Sequence, residues 1–140
     1  MTVRFYRDLV VWQKSMVLAA DVYRLTRHFP KQEEFRISGQ MIRAGTSIPA
    51  NIAEGHGRGT RRDYAHFVSI AKGSVAELET FLLLSRELSL ASEEHVSPVL
   101  ALAEEVGRML SALRRRLNEP PPTGEHTAPS NLVPGAPNLS

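Results

Sequence analysis

The sequence predicts an all-α protein, an antiparallel up-down four-helix bundle. Three observations carry that expectation. Apolar residues recur at three- and four-residue spacing in successive segments, the helical period. Helix starts and stops separate the segments at short intervals, so consecutive helices pack antiparallel. Strand-like alternation with paired Gly/Asn turns is nowhere sustained, which argues against an α/β enzyme fold.

In the first helical segment Leu9, Trp12, Met16, Ala19 and Tyr23 form one stripe, and Leu18, Val22, Leu25 and Phe29 form a second. At about 100° per residue the stripes are centred about 120° apart, so this helix is apolar over about half its circumference. Phe29-Pro30 stops it, because proline disfavours helical geometry in the residue before it.

The second segment contains RAGTSIPANIAEGHGRGTRR, with Pro49 inside a helical pattern. An internal proline loses the bond to residue i−4, here Gly45, whose missing side chain leaves room for adjustment. A kink is expected, with Thr46 and Ser47 bonding the freed backbone. Ala44, Gly45, Ser47, Ala50, Ala53 and Gly55 are small and let a neighbouring helix approach closely. Asn51 lies near the face of Ile37, Ala44 and Ile48, where a half-buried amide must find partners. Pro49, Asn51, Glu54 and Gly55 therefore read as a structural motif that shapes the bundle.

Thr60 followed by Asp63 has capping-box spacing and starts the third helix. Tyr64, Phe67, Val68, Ala71, Val75, Leu78 and Leu82 make its first stripe, and Ile70, Phe81, Leu84 and Leu88 a second. The fourth helix carries Val99, Leu102, Val106, Met109, Leu110, Leu113 and Leu117, and closes on Arg114, Arg115 and Arg116, where cations suit the negative end of the dipole. Pro98 fits either a first-turn position behind Ser97 or a kink after a start at Ser92. The doubled stripes on the first and third helices predict a second burial surface, suited to a homo-oligomer.

Composition changes after Glu119. Six of the nine prolines fall within residues 120–140, where only Glu125 is charged. The division expected is a bundle over 1–119 and a disordered, Pro-rich tail over 120–140, with a docking peptide or a simple solubilising tail as the alternatives, and nothing in it matches a PxxP-like ligand closely.

Function classes narrow by exclusion. The chain has no cysteine, so thiol chemistry, thiolate metal ligands and disulfides are absent. The five histidines form no HExxH pair, and no Glu-x-x-His motifs stand ready for a bundle metal site. GHGRGT is not a GxGxxG loop, since Thr60 holds the third glycine position and a helix precedes it. Glu77 and Glu79 point about 160° apart on a helix, so they make no acid–base pair. No catalytic residue, metal or cofactor is expected. There is no signal peptide or long apolar run, and the expected location is the cytoplasm, away from membrane.

The net charge is +2, too mild to name a nucleic-acid partner by itself, but its distribution is uneven. Residues 1–58 hold 9 Lys/Arg against 5 Asp/Glu, whereas 59–119 hold 8 against 9. Arg58, Arg61 and Arg62 cluster at the junction, beside three glycines and the free backbone N–H groups of a helix start, an arrangement that suits phosphate. These three are the leading candidates for nucleic-acid binding, with Arg43 and Lys72 weaker ones. Tyr64 and His66 are placed to stack on a base, although Tyr64 also belongs to the core stripe. The competing reading is a protein-interaction scaffold, with solvated arginines and a partner surface shaped by Asn51 and Glu54.

Trp12-Gln13, Tyr23, Phe29-Pro30, Gln40-Met41-Ile42-Arg43-Ala44, the run SIPANIAEG at 47–55, and Ala71-Lys72-Gly73-Ser74 followed by Glu77-Leu78-Glu79-Thr80 together carry a resemblance. Over roughly residues 5–118 the chain resembles the four-helix-bundle proteins encoded within intervening sequences of bacterial 23S ribosomal RNA genes. The resemblance implies a bacterial protein and a ring-shaped homopentamer, as in the similar accessory protein of diversity-generating retroelements. That relative is associated with nucleic acid and a reverse transcriptase, so RNA or DNA is the partner implied. It supplies no catalytic residue to carry over. Arg36-Ile37-Ser38 departs from the glycine-leucine pair that members often have, and the proline tail lies outside the pattern.

Overall fold

A computed structural model describes residues 5–120 of the chain. After a short 3₁₀ turn at Tyr6–Asp8 come four helices: α1 (Val10–Thr26), α2 (Gly39–Gly57), α3 (Arg61–Glu87) and α4 (Glu93–Asn118). Each packs on its two neighbours around the bundle, α1 on α2, α2 on α3, α3 on α4 and α4 back on α1. The starts of α1 and α3 therefore share one end of the bundle with the ends of α2 and α4. The four-helix bundle expected from the apolar spacing is the fold observed, while the tail expected over 120–140 lies, beyond Pro120, outside the described residues.

On α1 and α3 one stripe is core and the other is divided, with Ala19 buried, Trp12 and Phe81 half-buried against the core, and the remaining large side chains at the surface. On α1, Leu18, Val22 and Leu25 are buried with Phe29 just beyond it, whereas Met16 is 46% and Tyr23 50% exposed. On α3, Val68, Ala71, Val75, Leu78 and Leu82 are buried, whereas Ile70 and Leu84, with Leu88 just beyond the helix, stand exposed. Met41, Ile48 and Ile52 of α2 and Val96, Val106 and Leu110 of α4 complete a core without solvent contact. Two buried polar groups are satisfied locally. Ser15 Oγ donates to the Trp12 carbonyl at 2.8 Å and Ser85 Oγ to that of Phe81 at 2.7 Å.

Helix ends follow their caps. Ser92 caps α4, its Oγ accepting from the His95 N–H, so the helix starts at Glu93 and Pro98 lies inside it. Thr60 caps α3, its Oγ1 accepting the Asp63 N–H at 3.1 Å, the forward half of the expected box. α2 continues as helix through Pro49. The hydroxyls expected to bond the backbone that Pro49 frees do otherwise. Thr46 Oγ1 donates to the carbonyls of Ile42 and Arg43, one turn back, and Ser47 Oγ pairs with Ser74 Oγ of α3 at 2.8 Å. The Gly45 carbonyl is out of their reach because a threonine or serine in a helix bonds back three or four residues.

Candidate nucleic-acid interface

The α2–α3 connection places the basic residues. Only Gly59 of the glycines there takes a left-handed conformation, with φ of 95°, and that single residue turns the chain into α3. Gly57 is still helical. Gly55 matters through its size, since a Cβ on it would stand 2.7 Å from Phe67 Cβ and 3.3 Å from the Tyr64 carbonyl oxygen. The small residue lets α2 and the start of α3 touch backbone to side chain.

From this turn the arginines diverge. Arg58 lies at the end of α2, 3.5 Å from Glu54 and with its guanidinium 5.0 Å from the centre of the Phe67 ring. An ion pair and a cation–π contact thus hold it against the bundle. Arg61 reaches across to the end of α4, donating to the carbonyl of Arg116 and, at 3.1 Å, to that of Glu119. The Arg116 carbonyl also accepts the Glu119 N–H at 3.3 Å, so Arg61 adds a second donor at the helix end and fastens the residue that follows it. Arg62 is exposed and, among the described residues, forms no ion pair.

Arg61 and Arg62 line a cleft of about 860 Å³ between the start of α3 and the end of α4, together with His66, Ser69 and Arg114. Arg114 Nε donates to Ser69 Oγ, which aims the guanidinium along the cleft. Glu119 is the one carboxylate in the lining. Further along the same α3–α4 face, Lys72 lines a second groove of about 640 Å³ with Arg108 and Arg115, opposed by Glu79 and Glu104. Burial pushes the Glu79 carboxyl above its ordinary pKa, and the charge of Glu104 pushes it the same way. One helix-helix face therefore carries a basic track from Arg62 and Arg114 to Lys72 and Arg108.

Arg43 is absent from this track; it is exposed on α2. Sequence spacing missed Arg114 and Ser69 as site residues, because the cleft joins groups 45 positions apart. The one legible signal was the arginine triplet at the end of the fourth helix. Tyr64 is half-buried against His56, ring centres 5.5 Å apart and edge to face, so it belongs to the bundle and not to a stacking platform. Burial raises the Tyr64 pKa, partly countered by Arg116.

The structural motif is held by a polar relay. Asn51 Nδ2 donates to the Ser47 carbonyl at 2.8 Å and to Ser47 Oγ at 2.9 Å, and Ser47 meets Ser74 of α3. Asn51 is half-buried, while Glu54 faces solvent with Arg58. No helix among the described residues is long and apolar enough to cross a membrane.

Comparison with known proteins agrees with this architecture. No curated protein matches the chain. Among solved structures, the chain is similar to the crystal structure of a protein of unknown function of the S23 ribosomal protein family from Bacteroides thetaiotaomicron VPI-5482. Identity is 29%, the TM-score is 0.68, and the alignment covers 75% of this chain and 98% of that one. The family model described as 23S rRNA-intervening sequence protein matches residues 7–112. A match over most of the chain, on the helices that build the bundle, makes this protein a member of the 23S rRNA-intervening sequence protein family.

Proposed function

We propose that the protein is a non-enzymatic accessory protein of the cytoplasm that binds the phosphate backbone of RNA or DNA along its α3–α4 face, acting as a homo-oligomer with a pentameric ring favoured. The observation that supports this reading is the convergence of Arg61, Arg62, His66 and Arg114 on one open cleft with a single opposing carboxylate. Guanidinium groups suit phosphate, and an arginine that touches only phosphate positions a strand without reading bases. Lys72, Arg108 and Arg115 extend the track, while Arg43 and Arg58 contribute to the general field from other surfaces. Exposed Val10 and Val17 on α1 and Ile70 and Leu84 on α3, with Leu88 at its C-cap, support self-association through two unlike surfaces, the requirement for a closed ring. Repetition of the track in a ring would add avidity.

The test is fluorescence anisotropy with a structured RNA and a duplex DNA across a salt series, alongside native mass. An oligomer that binds with a steep salt slope, flattened in an Arg62→Ala/Arg114→Ala variant of unchanged mass, supports the reading. An oligomer that binds neither ligand at low salt ends it.

A further inference from the structure

His66 is the only residue lining the α3–α4 cleft of a type that ordinarily changes charge between pH 5 and 8. It stands exposed on α3, with Arg62 four positions before it and Ser69 three after, so the three share one helix face. Across the cleft, Ser69 holds Arg114. The imidazole enters no ion pair among the described residues, and its ring meets the neighbouring Phe67 edge to face, ring centres 5.4 Å apart. The charges around it are Arg61, Arg62 and Asp63 of its own helix, Arg114 and Glu119 of α4, and Arg58 of α2, which lies over the Phe67 ring. Guanidinium groups outnumber carboxylates among them, so an anion is the ligand this end of the bundle attracts.

We propose that His66 is a proton-linked phosphate ligand, which makes nucleic-acid binding in this cleft tighten in slightly acid solution and relax as the pH rises. The proposal rests on the phosphate reading of the cleft and adds its regulation. As imidazolium, His66 donates an N–H to a strand phosphate and brings a further cation beside Arg62 and Arg114. As neutral imidazole it leaves the phosphate to the two guanidinium groups. A phosphate beside the ring favours the charged form, so binding takes up a proton, and by reciprocity the proton strengthens binding. The track beyond the cleft, at Lys72, Arg108 and Arg115, is built from residue types that stay charged through this range. One end of the track is therefore tuned by protons and the other holds a strand at any physiological pH.

The experiment is anisotropy of the full chain with a structured RNA and a duplex DNA at about pH 5.5 and about pH 8, either side of the ordinary histidine value of about 6.5, at fixed ionic strength. Wild type is expected to bind both about three- to tenfold more tightly at the lower pH, the range of an exposed charge-assisted contact. Its salt slope should be steeper there by about one for each cleft engaged. His66→Gln, a neutral change at an exposed helix position, is expected to keep the weaker binding at both pH values, and His66→Arg the tighter binding at both. His28→Gln/His95→Gln, which removes the stacked imidazole pair at the opposite end of the bundle, should keep the wild-type dependence. Binding that is flat with pH in wild type, or that stays pH-dependent in His66→Gln, overturns the proposal and leaves the phosphate reading standing. Absence of binding at low salt at both pH values removes the two together.

Discussion

Gly55 and Phe67 touch so closely that a Cβ on the glycine would lie 2.7 Å from that of the phenylalanine. Both atoms are fixed to helix backbones, so no rotamer change relieves the overlap. Gly55→Ala is expected to force α2 and α3 apart at a cost of about 1–3 kcal/mol, more than the alanine's helix propensity returns. Gly73, in the middle of α3 with nothing within 4 Å of an added Cβ, predicts the opposite. Gly73→Ala is expected to stabilise the protein by up to about 1 kcal/mol. Urea unfolding of both variants checks the pair, and two shifts of the same sign would contradict the packing described.

The Asn51–Ser47–Ser74 relay joins α2 to α3 through side chains alone. With Ser74 gone the half-buried Ser47 hydroxyl still accepts from Asn51 but loses its interhelical partner, so Ser74→Ala is expected to destabilise by about 1 kcal/mol. Ser47→Ala and Ser74→Ala together should cost less than their sum, because each already breaks the shared bond. A double-mutant cycle measured by denaturant midpoint tests this; strict additivity would mean that the serines contribute separately.

Arg61 and Arg62 are neighbours in sequence and opposites in role. Arg61 satisfies carbonyls at the end of α4, so Arg61→Ala is expected to lower stability by about 1 kcal/mol. Arg62 has no such partner among the described residues, and Arg62→Ala is expected to leave stability within about 0.5 kcal/mol of wild type. In the proposed binding reaction Arg62→Ala should instead weaken RNA and DNA alike and reduce the salt slope by about one. Thermal melts and salt-series anisotropy on the two variants separate the roles.

That contrast shows where the sequence was readable. Periodicity identified all four helices, because burial of Leu18, Val22, Val75 and Leu78 needs a repeating face. Thr60 marked the α3 start through local hydrogen bonding that any chain with that spacing can make. The cleft was half legible. Arg61 and Arg62 stand together in the sequence, but their convergence with Arg114 depends on the antiparallel register of α3 and α4, a tertiary property. The same limit hid the split of Arg58 from its neighbours: α2 stays helical to Gly57 and carries Arg58 beside Glu54.

Glu79 supplies a pH-dependent consequence. Its carboxyl is raised first by burial and then by Glu104, so the folded protein holds a proton more tightly there than the unfolded chain does. As pH rises from the unfolded value through the folded one, the folded state gives up that advantage, and at neutral pH the ionised carboxylate opposes folding. The groove is open to water, so the effect is screened and below about 0.5 kcal/mol. Glu79→Gln removes the titration and keeps the shape. Relative to wild type it is expected to gain stability at pH 7 and to lose that gain as the pH falls below the ordinary glutamate range. Urea midpoints across roughly pH 3.5–7.5, a window that brackets the ordinary glutamate range, read the difference. A variant less stable at pH 7 would show instead that Glu79 is held by the cations of its groove, Lys72 and Arg108, more strongly than burial and Glu104 oppose it.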